Sequence, residues 1–316
     1  MNNKTSVAAL RKSGVIIKAT GRPVSRGYRV FTVFNYILLA CLALMCLLPL
    51  INVVSISLSE KGAVAAGQVG LWPIGFTLVN YEYVMGTSEF VGAFVMSVTR
   101  VLIAGIINFI ITIITAYPLS KRNHQLTGRT AYIWFFFFAT LFNGGLIPNY
   151  LVVKETGLLN TIWALTIPGC LPVFNMILLL NFFRGIPRDL EEAAMLDGAT
   201  HLQTMVQVYV PLAKSCLATI TLFSLVSHWN SWFDGMIYIN RGSQPLATYL
   251  YKCIAQTNLS VMQNTTDMET LQKLMSISDQ STKCANVVLA TVPILCVYPF
   301  LQKYFTRGIM LGSIKG

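Results

Sequence analysis

The sequence predicts an all-α polytopic membrane protein with six transmembrane helices and a helix-turn-helix knob between the fourth and fifth. Three observations predict it. Only 11% of the residues are charged and 54% are apolar, whereas a soluble domain carries about 25% charged residues. Several windows exceed roughly 18 apolar residues with few or no charges, the length a helix needs to cross a bilayer. Lys and Arg are concentrated on alternate connecting segments, the pattern of a chain sorted to two sides of a membrane.

Residues 1–30 form a basic tail with Lys4, Arg11, Lys12, Lys18, Arg22, Arg26 and Arg29 and no acid. A solvated tail and an interfacial helix on anionic lipid both fit it. Residues 31–316 then form one six-helix membrane domain. The first apolar run, about 31–54, is too long for a signal-peptide core and no small-residue cleavage site follows it, so it reads as an uncleaved first span. In the loop that follows, Trp72, Tyr81 and Tyr83 suit a membrane-water interface. The second span, about 90–117, holds Arg100. The third, about 130–151, contains the break FNGGLIPNY, where Gly144, Gly145 and Pro148 distort or end the helix. The fourth runs over about 159–183 with kinks expected at Pro168 and Pro172. The polar block 187–212 follows, then the fifth span, about 213–238. A long polar segment, 240–283, leads to the sixth span, about 284–305.

Six spans place both termini on one side. Fifteen Lys and Arg fall on the N-terminal tail, the 118–129 loop, the 184–212 segment and the C-terminal tail counted with Lys303 at the end of the sixth span, against six on the other three loops. The positive-inside rule puts the first set, both termini included, in the cytoplasm of a plasma-membrane protein. The net charge of +11 is therefore mainly a topology signal. No basic helix or aromatic-basic motif accompanies it, which argues against nucleic acid as a partner. Of seven cysteines, Cys41, Cys46, Cys170, Cys216 and Cys296 lie in apolar runs, where a small buried hydrophobe is the usual role. Cys253 lies in the long polar segment and Cys284 at its end, where it meets the sixth span, with nothing in their spacing that demands a disulfide. No CxxC pair supports zinc or redox chemistry.

Within the block, Pro187 and Asp189 suit a helix start, and Glu191, Glu192, Ala193, Ala194, Met195 and Leu196 are strong helix formers. Gly198 is a natural left-handed stop. A second helix can run from a cap at Thr200 to Pro211, with Leu202, Met205, Val206 and Tyr209 on one apolar face. A docking knob and a loop helix packed on the bundle both fit this pattern.

Glu192, Ala193, Ala194, Asp197, Gly198, Ala199, Val208 and Pro211 resemble, in register, the EAA signature of ABC-importer permeases. FNGGLIPNYLVVKETGLLNTIWALTIPG, SHWNSWFDGMIYI and the terminal FTRGIMLGSIKG are similar to carbohydrate-uptake permeases of the Gram-positive oligosaccharide and polysaccharide-fragment type. The resemblance covers nearly the whole chain from about residue 28. Ser215 departs from it, where a second proline is common, as does Met205, where an aromatic is commoner. The resemblance implies that Glu191, Glu192, Ala193, Ala194, Asp197, Gly198, Ala199 and Pro211 couple the chain to a cytoplasmic ATPase. It also implies a homologous second permease, two ATPase subunits, an extracellular solute-binding lipoprotein and a carbohydrate solute. ATP and Mg²⁺ are then used by the partner ATPase, and this chain binds no cofactor.

The residues themselves offer no catalytic constellation. His124, His201 and His228 lie in separate segments without metal-ligand spacing. No glycine loop ending in Gly-Lys-Ser/Thr is present, consistent with a non-catalytic subunit. Arg100 is costly in a span unless it faces the bundle interior, a cavity or the interface, so it reads as a gating or path residue, as a snorkelling one, or as one paired with a helix C-terminus. Trp229, Asn230, Trp232, Phe233 and Asp234, with His228, suit a sugar path, because sugars stack on rings and hydrogen-bond to amides and carboxylates. An interfacial aromatic belt explains the Trp residues but explains Asn230 and Asp234 poorly. Asn143, Asn149 and Tyr150 are weaker path candidates. Segment 240–283, with Asp267, Glu269, Asp279, Lys273 and Lys283, is the candidate docking loop for the binding protein. A stand-alone secondary transporter predicts an internal repeat and charged pairs within spans, and neither is visible in the sequence. A permease for a non-sugar solute, and a subunit kept for sensing, fit the same residues.

Overall fold

The computed structural model describes residues 26–122, 125–255 and 278–312, all in helices, turns and irregular segments. The basic tail before Arg26, His124, and Asp267, Glu269 and Lys273 of the long loop lie outside the described residues. Helix α1 (Arg26–Ser57) is followed by two short helices, α2 (Lys61–Ala65) and α3 (Val79–Gly86), and then by the long α4 (Ser88–Ser120). Helices α5 (Arg129–Leu141) and α6 (Leu146–Glu155) come next, then a 3-10 turn (Ile162–Leu165) and α7 (Val173–Arg184). The block forms α8 (Asp189–Leu196) and α9 (His201–Leu212). Helices α10 (Lys214–Asn230), α11 (Phe233–Tyr238), α12 (Leu246–Ala255) and α13 (Asp279–Gly312) complete the described chain.

Helices α1 and α4 and the Asp279–Val297 part of α13 are each long and apolar enough to cross a membrane. The third expected span is the bent pair α5–α6, which turns through 113°. Its hinge is the expected glycine break: Gly145 has φ +88°, and Pro148 sits in the first turn of α6, where no amide hydrogen is needed. The fourth span differs from expectation. Residues 166–172 are irregular and only the 12-residue α7 is helical, about 18 Å against roughly 30 Å of hydrocarbon. Pro168, Gly169 and Pro172 fall within five positions, so two backbone donors are missing and the helix starts only after the second proline. The fifth span is also interrupted, at Ser231 and Trp232, and α9 meets α10 at 85° just after Pro211.

The core forms around α4, which packs on α7 and on α10. Its small or polar positions Ala93, Ser97, Ala104, Gly105, Asn108, Thr112 and Ala116 are all buried, as expected where helix backbones approach closely inside a membrane. Gly105 lies so close to α10 that an added Cβ falls 2.7 Å from Leu225. Asn108, with its amide turned to suit its neighbours, accepts from Ser224 Oγ (2.8 Å) and His228 Nε2 (3.0 Å) and donates to the Cys170 carbonyl (3.0 Å). This buried amide ties α4, α10 and the irregular 166–172 segment together. Helix α1, in contrast, packs along α13 and is otherwise exposed over nearly its whole length.

Candidate functional site

The block folds as its sequence dictates. Asp189, Glu191 and Glu192 occupy the first turn of α8, where acids complement the helix dipole. Gly198, at φ +82°, closes the helix: its amide donates to the Met195 carbonyl (3.0 Å), and that of Ala199 donates to Ala194 (2.9 Å). Those two bonds form the Schellman ending, which needs a left-handed residue at this position. Thr200 then caps α9: its hydroxyl accepts from the Gln203 amide (3.3 Å) while its own amide donates to Gln203 Oε1 (2.8 Å). The turn is thus determined from both sides.

Two faces result. On the inner one Glu191 is buried and its Oε1 lies 2.6 Å from Lys121 Nζ. Glu191 Oε2 accepts from the Tyr209 hydroxyl at 2.6 Å. The Lys121 ammonium also stands 3.9 Å from the Tyr117 ring centroid and 4.3 Å from that of Tyr209, and Tyr209 meets Tyr117 and Phe183 edge-on. Burial pushes the Glu191 carboxyl upward, but the hydrogen bonds from Lys121 and Tyr209 outweigh it and hold the group below its usual value. Burial pulls the Lys121 ammonium below its usual range, against the opposing pull of Glu191. Lys121 directly follows α4, so one carboxylate pins the block to the end of the longest core helix.

The outer face carries Glu192, Ala193, Asp197 and Gly198, all exposed, with Leu196 at 88%, Leu202 at 66% and Val206 at 53% exposure. The single apolar stripe expected on α9 is therefore divided. Met205 and Tyr209 turn into the core while Leu202 and Val206 face outward, and residues 205–209 form a wide π turn. Ala194 and Ala199 are half-buried and Pro211 is exposed at the bend into α10.

The candidate path residues do not form one site. Arg100 is fully buried in α4 and forms an ion pair with Asp234 of α11. Its Nη1 also donates to the Ser231 carbonyl (3.2 Å) and its Nη2 to that of Leu165 (3.5 Å). Asp234 Oδ1 accepts from Ser231 Oγ and from the Gly235 amide, each at 2.8 Å. Arg100 therefore neither snorkels nor lines an open path. The sequence showed no charged pair within the spans; the structure has one, between residues 134 positions apart. Trp232 and Phe233 lie beside this pair with rings 5.5 Å apart. Trp229 points elsewhere, donating to the Ala290 carbonyl of α13 (3.2 Å) and meeting Phe94 edge-on. Asn230 binds its own helix at Val226 O (3.0 Å). Asn143 belongs to the α5–α6 hinge, where its Oδ1 accepts from the Gly145 amide (2.9 Å).

Several participants were not singled out from the sequence. Lys121 counted only as a topological charge, and Tyr117 as part of a span. Their signal was local: a Tyr one turn before a Lys at a span's end is a ready cation-π pair. Tyr251, which stacks on Trp232 at 4.1 Å, and Leu165, which lends a carbonyl to Arg100, left no such trace.

A helical bundle with several membrane-crossing helices, bearing an anchored helical knob with an exposed apolar edge, suits a transport-system membrane subunit. The chain belongs to the family of binding-protein-dependent transport system inner membrane components, whose family model matches residues 108–311. It is 37% identical to protein LplC of Bacillus subtilis over 91% of this chain and 96% of that protein. It is 36% identical to the polygalacturonan/rhamnogalacturonan transport system permease YtcP of the same organism, over 91% and 99%. Among solved structures it resembles a chain of a bacterial ABC transporter that imports the acidic polysaccharide alginate. That match has a TM-score of 0.80 and 34% identity, and covers 89% of this chain and 98% of the other.

Proposed function

We propose that this chain is one transmembrane half of an ATP-driven importer of a carbohydrate, an oligosaccharide or polysaccharide fragment, and that the 187–212 block receives the ATPase. The observation that carries this is the block itself. Its inner face is pinned to α4 through Glu191 and Lys121, while its outer face presents Leu196, Leu202 and Val206 to solvent. A knob anchored to the core and apolar on its free edge suits force transmission from a partner. The relatives that import polygalacturonan, rhamnogalacturonan and alginate support the solute class.

In this reading a homologous second permease completes the path, two cytoplasmic ATPase subunits hydrolyse ATP with Mg²⁺, and an extracellular solute-binding lipoprotein delivers the glycan. The distribution of basic residues supports a cytoplasmic block and cytoplasmic termini, and on that reading segment 240–283 is the extracellular docking loop for the binding protein. Glu192, Ala193, Asp197 and Gly198 meet the ATPase groove; Glu191, Ala194, Ala199 and Pro211 shape and anchor the knob. Closure of the ATPases drives the knob and rocks the helices attached to it. The Arg100–Asp234 pair is of the kind a secondary carrier would hold, but the family match over residues 108–311 favours a permease that works with separate partner subunits. The test is co-purification with an ATPase, then uptake of a galacturonan oligosaccharide into proteoliposomes. Uptake that needs ATP and the ATPase is expected. Uptake by an ATPase-free preparation overturns the proposal.

A further inference from the structure

Three rings of this chain share one exposed surface. Trp232 stands in the break between α10 and α11, and Tyr251 lies in α12. Their rings stack nearly parallel, 19° apart in plane with centroids 4.1 Å apart. Phe233 meets Trp232 edge-on at 5.5 Å. All three are exposed, at 37%, 43% and 45% for Trp232, Tyr251 and Phe233.

The surface is held rigidly from beneath. The Trp232 carbonyl accepts from Thr248 Oγ1 at 2.7 Å, and Thr248 is fully buried. Gly235 packs against the same threonine so closely that an added Cβ falls 2.2 Å from its hydroxyl and 2.9 Å from Pro245. Between them Asp234 is fixed by Arg100, Ser231 and its neighbour's amide. Arg100 reaches the break from α4 and grips the Leu165 carbonyl as well. Fixing the rings in advance lowers the ordering cost a ligand meets.

The setting decides what that ligand is. Irregular backbone at membrane depth is tolerated only where protein buries it or where it lines water, and the same holds for charge. The side chain of Asp234 is 24% exposed, and a carboxylate at membrane depth turns to water or to protein and not to lipid tails. A belt of interfacial anchors uses separate Trp and Tyr side chains, whereas here a ring from the helix break and a ring from α12 are stacked beside a neutralised ion pair. A sugar ring carries one face of C–H bonds that suits the negative face of an aromatic ring. Its hydroxyls suit the indole N–H and phenol O–H at the ring edges.

We propose that the Trp232–Tyr251 stack, in which one ring backs the other and an outer face stays free, forms with Phe233 a subsite for the apolar face of a pyranose ring, and that Arg100 positions it through Asp234. The proposal rests on the carbohydrate reading above. Arg100 is committed to Asp234, so the subsite reads the ring face and not a carboxylate. Arg100 and Asp234 act on the solute only through the rings they hold.

The test uses the whole importer, with its ATPases and binding protein, in proteoliposomes. It reads galacturonan oligosaccharide taken up per ATP hydrolysed, normalised to assembled complex. Trp232→Leu and Tyr251→Leu keep an apolar side chain, which satisfies a lipid or subunit contact, but remove the ring face. Each is expected to lower the ratio about three- to tenfold, the range of an aromatic contact. Tyr251→Phe keeps the ring and loses only a hydroxyl partner, so its ratio falls clearly less than that of Tyr251→Leu. Arg100→Gln falls as the leucine variants do, and adding Asp234→Asn recovers part of the loss, because two neutral amides replace one stranded charge. Leucine variants at the wild-type ratio overturn the subsite, as does a Tyr251→Phe loss equal to that of Tyr251→Leu. A wild-type importer that takes up none of a set of galacturonan, rhamnogalacturonan and alginate oligosaccharides defeats the carbohydrate reading, and the subsite falls with it.

Discussion

Glu191 shows how much one side chain settles. Its carboxylate is buried, paired with Lys121 and hydrogen-bonded by Tyr209, so removing either charge strands the other. Glu191→Gln or Lys121→Gln is expected to destabilise the protein by about 3–5 kcal/mol, and the double replacement by clearly less than the sum. Thermal melting of the purified protein in one detergent measures all three. The pH dependence follows from the depressed carboxyl. A carboxyl whose folded value lies below its unfolded value stabilises the fold above the unfolded value, and that stabilisation is lost as pH falls through the folded one. The melting temperature of the wild type is therefore expected to drop as pH falls below 4.5, the ordinary value for this group, and Glu191→Gln removes that drop. An identical acid profile in the variant contradicts the assignment. Arg100 follows the same rule of stranded charge at the other site. Arg100→Gln leaves Asp234 alone in the bundle, and is expected to cost more than Arg100→Gln combined with Asp234→Asn, read by the same melts.

At the scale of elements, Gly198 carries the turn of the block. An added Cβ meets nothing within 4 Å, so size is not what excludes other residues. The φ of +82° is: a β-branched residue there costs about 1–2 kcal/mol or more, whereas Asn tolerates the left-handed region. Gly198→Val is expected to uncouple ATP hydrolysis from uptake with membrane insertion intact, and Gly198→Asn to keep most coupling. Normal uptake by Gly198→Val refutes this. The turn was legible in advance because glycine, the Thr200 cap and the acids of α8 are local signals. The long apolar runs of α1, α4 and α13 were legible for the same reason, and so was the Gly144–Gly145 hinge. The short α7 was not, although Pro168 and Pro172 announced a disturbance, because an apolar run reads as one helix until two nearby prolines are weighed together. Least legible were the contacts that organise the sites. Arg100 and Asp234, or Lys121 and Glu191, have no periodic relation, so only the fold reveals which distant residues share a carboxylate. The split of the α9 stripe belongs to this class too, since burial of Tyr209 against Tyr117 and Phe183 decides which apolar residues remain outside.

Across the whole molecule, α4 joins the two sites. Lys121, just past its end, holds the block, and Arg100 holds the break in the fifth span, about 30 Å away along the helix axis. Between them the helix packs closely on α10 and α7, so a displacement of the block is passed to the bundle as movement of a rod. On the proposed reading a partner grips the block at its free apolar edge. Leu196 is the most exposed large hydrophobic residue of the block, at 88%, and it contributes nothing to the core. Leu196→Asp is therefore expected to melt within about 0.5 kcal/mol of the wild type, as an exposed substitution does. It places a charge at the centre of the apolar edge, where burial against a partner leaves it unpaired and costs several kcal/mol. Co-purification of the ATPase should then fall by at least about tenfold, the factor for 1.4 kcal/mol, and uptake should fall with it. A Leu196→Asp protein that melts normally and retains its ATPase in full would show that the grip lies elsewhere on the chain.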